Sequence, residues 1–187
     1  VTAHQSELND ADYVIAQLET PIDDVYNLLV AAKEAKKVTI LNPAPAPDTI
    51  PDLVLSHIDF LTPNETELAK VAGMPTETIP EITAAAEALL QRGVGNVLVT
   101  VGSRGALLCN RNGSHLYPAY PQKAVDTTAA GDTFNAAFAV ALAEGWTMDE
   151  AIVFANAAAG LSVTRKGAQT SIPCRSEVLD FMRDHAL

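Results

Sequence analysis

The sequence predicts an α/β protein built on an open sheet. Its 187 residues and 48% hydrophobic content are enough for one compact domain with a sizeable core, expected to span residues 1–187. Only 5% of the residues are aromatic. Alanine and the aliphatic residues must therefore fill the core, which favours helices packed closely on a sheet over an aromatic-rich sandwich. Apolar runs of strand length also alternate with helical stripes along much of the chain.

The first such run is Asp12–Leu18, and Glu19-Thr20-Pro21 begins the loop behind it. Thr20 is expected to cap a helix with Pro21 in its first position and Asp23 and Asp24 in its first turn; Val25, Leu28, Leu29 and Ala32 form its buried stripe. Glu19 is left at the strand's C-terminal end, the edge where open parallel sheets hold ligands, although a plain loop carboxylate would look the same. Val38–Leu41 is the next strand, followed by the stiff, non-helical Asn42-Pro43-Ala44-Pro45-Ala46-Pro47, where Asn42 can close a turn. Asp59–Thr62 reads as a short strand. Pro63-Asn64-Glu65-Thr66-Glu67-Leu68 opens a helix that stops at Gly73. Asn64 and Glu67 stand at capping-box spacing, which by itself needs no further function.

A helix with Ile82, Ala85, Ala86, Leu89 and Leu90 on one face leads through Gly93 to the strand Asn96–Val101. Gly93-Val94-Gly95 precedes a strand and lacks a third glycine, so it is no dinucleotide fingerprint, and no Walker A lysine loop exists. Thr100-Val101-Gly102-Ser103-Arg104-Gly105 turns the chain into the strand Ala106–Cys109, as an ordinary β-turn would. Arg111–Ser114 is a hairpin turn leading to Leu116-Tyr117-Pro118.

The most informative stretch is Val125-Asp126-Thr127-Thr128-Ala129-Ala130-Gly131-Asp132-Thr133-Phe134. Phe134, Ala137, Phe138, Ala141 and Leu142 recur at helical spacing, which puts Asp132 in the first turn. The leading N–H groups of a helix lack intrahelical partners and carry the positive end of the dipole. Ala129, Ala130 and Gly131 can therefore bring bare amides against an anion, with no bulky side chain in the way. A carboxylate beside such a pocket suits a base that takes a proton from an attacking hydroxyl, as in phosphoryl transfer. Taken alone, Gly131 as a tight-turn residue and Asp132 as a dipole-stabilised acid account for the same residues.

An alanine-rich helix from Asp149 to about Val163 follows, with Ile152, Ala155, Asn156 and Ala159 sharing a face; Asn156 reads as a satisfied core amide. Residues 162–173 form an irregular polar loop, and Glu177–His185, with Val178, Phe181 and Met182 apolar, closes the chain as an amphipathic helix.

A formal charge of −11 and a pI near 4.6 argue against nucleic acid or an anionic membrane as partner. Cys109 and Cys174 have no metal-ligand spacing, so reduced thiols in a cytosol are expected. A signal sequence and an apolar run of transmembrane length are both lacking. The expectation is a cytoplasmic protein.

Asp126 to Ala137 resembles, without departure, the C-terminal signature of the ribokinase (phosphofructokinase-B type) family of sugar kinases. Asn64-x-x-Glu67, Gly102-Ser103-Arg104-Gly105 and Arg165-Lys166-Gly167-Ala168-Gln169 resemble further motifs of that family, and Leu41-Asn42-Pro43-Ala44-Pro45-Ala46 recurs at its corresponding strand end. The resemblance implies a three-layer α/β/α, Rossmann-like open sheet of the ribokinase fold. Within it, Asp132 is the base that activates the sugar hydroxyl, Ala129, Ala130 and Gly131 are the anion hole, and Glu19 touches the sugar. Asn64 and Glu67 help place Mg²⁺ and the nucleotide phosphates, Glu67 through water. Thr100, Val101, Gly102, Ser103, Arg104 and Gly105 line the ATP site, with Asn156 near the adenine. Asp126, Thr128, Ser162, Arg165, Gly167 and Ser171 hold K⁺.

The expected activity is ATP-dependent phosphorylation of D-ribose at its 5-hydroxyl. A family kinase for another sugar, sugar phosphate or nucleoside is the alternative, and a nucleotide-binding module without activity another. The family's members run to roughly 300 residues, above the usual size of a single domain. A chain opening at Val1 without Met is thus expected to be a C-terminal portion, lacking the N-terminal sugar-site strands and lid. A homodimer is one assembly open to the full-length protein.

Overall fold

The computed structural model describes residues 5–185. Val1 to His4, read above as an internal start, lie outside the described residues. The fold divides into two compact units: one takes the chain to Thr100 together with Leu107–His115, and the other takes Val101–Ala106 together with the chain from Leu116 onward.

In the first unit, α1 (Gln5–Asp10) precedes β1 (Tyr13–Ala16), α2 (Ile22–Glu34), β2 (Val38–Leu41), α3 (Asp52–Leu55), β3 (Phe60–Leu61), α4 (Glu65–Ala72), α5 (Ile79–Gln91) and β4 (Asn96–Thr100). The hairpin β5 (Ala106–Asn110) and β6 (Gly113–Tyr117) completes a sheet of order β1-β2-β3-β4-β5-β6. Neighbours β1 to β4 run parallel, with Ile15 opposite Ile40, Leu41 opposite Leu61, and Leu61 opposite Val97. The two-residue link Arg111-Asn112 turns β6 back against β5, which only antiparallel neighbours allow.

Strands covered on both faces read as continuous apolar runs, and Val97, Leu98 and Val99 are all buried. Leu29 and Ala32 of α2 and Ile82, Ala85, Ala86 and Leu89 of α5 supply the helical side of this core. A polar lock closes the N-terminal side of the parallel strands. The Asp59 carboxylate accepts from the Thr39 N–H at 3.0 Å and pairs with Lys33, while the Asn96 side chain donates to the Asp59 carbonyl at 2.9 Å.

Capping matches the sequence at α4, where the Asn64 side chain accepts from the Glu67 N–H and the Glu67 carboxylate accepts from the Asn64 N–H, both at 2.8 Å. Gly73 ends that helix at φ 65, in the left-handed region that favours glycine. Asn64→Ala is expected to lower stability by about 1 kcal/mol in a urea titration; no loss would show that the box does not hold α4. At α2 the expectation fails by one residue. Pro21, at φ −52 and ψ 119, lies outside the helix as its cap residue, no side chain caps it, and Thr20 sits one position further back.

The second unit holds α6 (Ala130–Ala143), α7 (Met148–Ser162) and α8 (Arg175–Asp184). α6 packs on α7, and α7 on α8. Ala139, Ala141, Ala151, Ala155, Ala157 and Ala158 are buried, so close helix approach replaces bulky filling. The Phe134 and Phe138 rings stack at 6.5 Å. Arg175, at the start of α8, lies 5.7 Å from the Trp146 ring and pairs with Glu144. α8 thus starts two residues earlier than expected, with its first turn fastened on both sides.

Candidate functional site

In the first unit, the C-terminal ends of the parallel strands gather the polar candidates. Asn64 forms a parallel bridge with Thr100, and the Thr100 N–H donates to the Pro63 carbonyl at 3.0 Å. The structure therefore brings Asn64, Glu67 and Thr100 together. Burial raises the Glu67 carboxyl above its ordinary pKa, and the Asn64 N–H opposes that shift. At the neighbouring strand ends, the Leu18 N–H donates to the Ala44 carbonyl at 2.8 Å and the Gln17 amide to Asn42 Oδ1 at 3.3 Å. Asn42 also donates to the Thr62 carbonyl at 2.8 Å, so it ties the loops behind β1, β2 and β3. Glu19 is exposed beside this tie.

In the second unit, residues 101–105 form a closed loop. The Val101 N–H donates to the Gly105 carbonyl at 2.8 Å around a 3₁₀ turn, Gly102–Arg104. Gly102 has φ 57 and nothing within 4 Å of where a Cβ would stand, so this backbone is open to close approach.

The start of α6 is built by an unusual cap. Ala129 sits at φ 60, a left-handed conformation that disfavours every residue with a Cβ except in special settings. Both the N–H and the hydroxyl of Thr133 donate to the Ala129 carbonyl, at 2.9 and 2.8 Å, which holds the turn in place. The Ala130 N–H reaches the Thr127 carbonyl at 3.2 Å, so that amide closes the turn here. Gly131 has no atom within 4 Å of a Cβ position, and Asp132 is exposed beside it in the first turn.

One residue escaped the sequence reading. Asn135 is 5% exposed, and its amide donates to the Gly131 carbonyl at 2.9 Å, while its Oδ1 is buried without a hydrogen-bond partner among the described residues. Its position four residues after Gly131 on a helix was the available signal.

Asp126 clips two loops. Its Oδ1 accepts from the Thr128 N–H and its Oδ2 from the Gly167 N–H, both at 3.0 Å. The Val125 and Asp126 N–H groups both donate to the Val163 carbonyl, at 2.7 and 3.1 Å. Hydrogen bonding from the Thr128 side chain, then from the Gly167 and Thr128 N–H groups, holds the Asp126 carboxyl down at about 2. A depressed carboxyl stabilises the fold above its unfolded pKa near 3.8, and that contribution disappears as pH falls through about 2. Asp126→Asn is accordingly expected to flatten the acid limb of the stability profile between those values. An unchanged limb in urea titrations would remove Asp126 as its source.

The other residues of this region are also placed. Ser162 and Ser171 are buried, with hydroxyls donating to the Ala159 and Ala168 carbonyls at 2.8 and 2.7 Å. The Arg165 guanidinium grips Glu177, so only its backbone oxygen is open to an ion, and the Glu177 carboxyl is held at about 2 chiefly by that grip. The donors are hydroxyl, carbonyl and carboxylate oxygens, which suits a hard monovalent cation. For a divalent ion the fit is narrower. No group of three or more His, Cys, Asp or Glu side chains that could hold a metal occurs among the described residues. The Asn64 and Glu67 oxygens instead fit a hydrated ion carried by phosphates.

Asn156 is 6% exposed, and its amide donates to the carbonyls of Tyr117 and Pro118 at 3.2 and 3.3 Å. Its side-chain nitrogen is thus bonded to backbone. Cys109 is buried with its thiol raised to about 11, chiefly by desolvation, and is chemically quiet. No helix among the described residues is long and apolar enough to cross a membrane.

A parallel α/β sheet with polar loops at its C-terminal edge, and a separate helix start with an open glycine and a first-turn carboxylate, define the class of α/β proteins suited to small anionic ligands. Residues 3–175 match the model of the pfkB family carbohydrate kinases, and the chain belongs to that family. The ribokinase of Haemophilus influenzae is 40% identical over 186 residues, covering 100% of this chain and 60% of that protein. The deoxyribokinase of Salmonella typhi is 35% identical over 176 residues, covering 94% of this chain and 58% of that protein. The structure of Arabidopsis thaliana ribokinase complexed with ribose and ATP superposes with a TM-score of 0.93 at 39% identity, covering 98% of this chain and 59% of that one. The α/β fold is thus that of the ribokinases, and the chain spans about 60% of the length of these relatives.

Proposed function

We propose that this chain is the nucleotide-binding, base-bearing part of a sugar kinase that transfers the γ-phosphoryl group of ATP to the 5-hydroxyl of D-ribose. The observation that carries the reading is the start of α6, where a first-turn carboxylate, Asp132, stands beside the open backbone of Gly131 in a chain of the pfkB family. In this reading the Asp132 carboxylate takes the hydroxyl proton as the sugar oxygen bonds to the γ-phosphorus. The bond from that phosphorus to the bridging oxygen breaks, and ADP leaves. The backbone of Ala129, Ala130 and Gly131 stabilises the transferring group, the Ala130 N–H being released from Thr127 to do so.

Asn64, Thr100, Val101, Gly102, Ser103, Arg104 and Gly105 bind ATP, with Asn156 near the adenine, and Glu19 touches the sugar. Mg²⁺, placed by Asn64 and by Glu67 through water, supplies charge neutralisation on the polyphosphate when bound. Asp126, Thr128, Ser162, Arg165, Gly167 and Ser171 would hold K⁺ through oxygen atoms, in loops that Asp126 already joins. Such an ion steadies the turn that carries Ala129. Both units belong to one cytoplasmic kinase domain in this proposal.

The test is ADP release across a panel of pentoses, hexoses and nucleosides by the full-length protein, in K⁺ and in Na⁺. Ribose selectivity with K⁺ activation is expected. The 35% identity to a deoxyribokinase favours deoxyribose as the second reading; selectivity for it would keep Asp132 and change the substrate. AMP-PNP binding without turnover on any sugar would leave a nucleotide-binding module.

A further inference from the structure

We infer that Asn135 is a positioning residue for the start of α6: through the Gly131 carbonyl it fixes the peptide that joins Gly131 to Asp132. The inference rests on the reading of that turn as base and anion hole. Every contact it uses lies within the second unit.

Gly131 is the least supported point of the turn. Nothing lies within 4 Å of where its Cβ would stand, so a phosphoryl group can come close, and for the same reason no packing steadies that backbone. Hydrogen bonds must do so. The Asn135 side-chain amide donates to the Gly131 carbonyl at 2.9 Å, beside the N–H that helix geometry sends from residue 135 to the same oxygen. A peptide is planar. Holding its oxygen from the next turn therefore also fixes the Asp132 N–H at its other end, and the Cα from which the carboxylate projects. Thr133 does the same two peptides earlier, where its hydroxyl donates to the Ala129 carbonyl at 2.8 Å and so fixes the Ala130 N–H. Side chains of the second turn thus hold both ends of the stretch from Ala129 to Asp132.

Both polar atoms of the Asn135 amide bear on its role. The residue is 5% exposed, and its Oδ1 is buried without a hydrogen-bond partner among the described residues. Exchanging oxygen and nitrogen gives no relief, because it would set Oδ1 against the Gly131 carbonyl, two acceptors face to face. A buried acceptor left unpaired costs stability, so an apolar residue would fill this position better. What the amide alone supplies is the N–H for Gly131.

The test compares Asn135→Val with Asn135→Thr in the full-length protein, two side chains of one shape of which only Thr carries a donor. Thr133 already shows that a hydroxyl on this helix reaches the carbonyl four residues back. With the best sugar of the panel above, Asn135→Val is expected to lower kcat about tenfold at unchanged KM for ATP, the mark of lost alignment. Asn135→Thr should stay within about threefold of wild type. Exchange at the Asp132 and Thr133 amides should be about fivefold faster in Asn135→Val than in Asn135→Thr, with the amides from Ala139 onward equal. Equal kcat in the two variants would overturn the inference, whether both match wild type or both fall, and so would a raised KM for ATP at unchanged kcat. Should Asn135→Val lack a cooperative melt, Asn135→Leu, branched at the same carbon as Asn, replaces it under the same expectations. If Asp132→Asn turns over as wild type does, or no sugar is a substrate, the base reading fails, while the exchange rates still decide whether Asn135 holds the turn.

Discussion

Asp132→Asn in the full-length protein is expected to lower turnover by about 10² to 10⁴, the usual contribution of a positioned general base. Affinity for AMP-PNP should change by no more than about twofold, because the removed interaction acts on a proton in flight and not on bound nucleotide. Asn has the size of Asp and keeps the first turn of α6 intact, where the Thr133 N–H and hydroxyl still fasten the Ala129 carbonyl. Packing is left alone, since Asp132 is exposed and the core side of the helix is formed by Phe134, Phe138 and Ala141. Near-normal turnover in a progress-curve assay would remove Asp132 as the base.

Gly105→Ala is expected to be the most damaging single methyl group in the second unit, with a loss of about 3 kcal/mol or more in urea titrations. Two independent effects add. The φ of 107 with ψ −130 is a conformation that residues with a Cβ rarely adopt, and the new Cβ would overlap the Tyr117 oxygen at 2.0 Å. Backbone, not a flexible side-chain end, is what it meets, so relaxation must move residues 117–119 away from Asn156. Gly102→Ala is the contrast. Its φ of 57 strains an alanine, but nothing lies within 4 Å, and a loss of about 1 kcal/mol is expected. Equal losses in the two variants would show that the wedge at Gly105 adds nothing.

What the sequence told in advance was local. Asn64 and Glu67 stand three residues apart, and a capping box needs only that spacing, so both of its bonds were readable. The strands β1 to β4 were legible as apolar runs between helical stripes, and Gly73 from its place at the end of one. The short α1 and α3 were not readable. Four residues after Pro51 carry no periodicity, and six at Gln5–Asp10 carry little. The left-handed Ala129 was hidden for a different reason. Alanine gives no sign of positive φ, and the bonds that hold it there come from Thr133.

Long-range partners lay beyond reach altogether. Asp126 meets Gly167 across 41 positions, and Asn156 meets the Tyr117 carbonyl across 39. Pattern reading gave these residues a polar character and a helix face, whereas their bonding depends on which loops the fold brings together. Candidate site residues were accordingly easiest to name where chemistry and local geometry coincide, at Gly131 and Asp132.

The most direct measurement of the central claim is phosphorus and carbon NMR of the product formed from ATP and carbon-13-labelled ribose by the full-length protein. The account predicts a phosphate monoester whose phosphorus couples to C5 of the sugar, appearing in step with ADP. Inorganic phosphate alone, or phosphorus coupled to C1, would contradict transfer to the 5-hydroxyl.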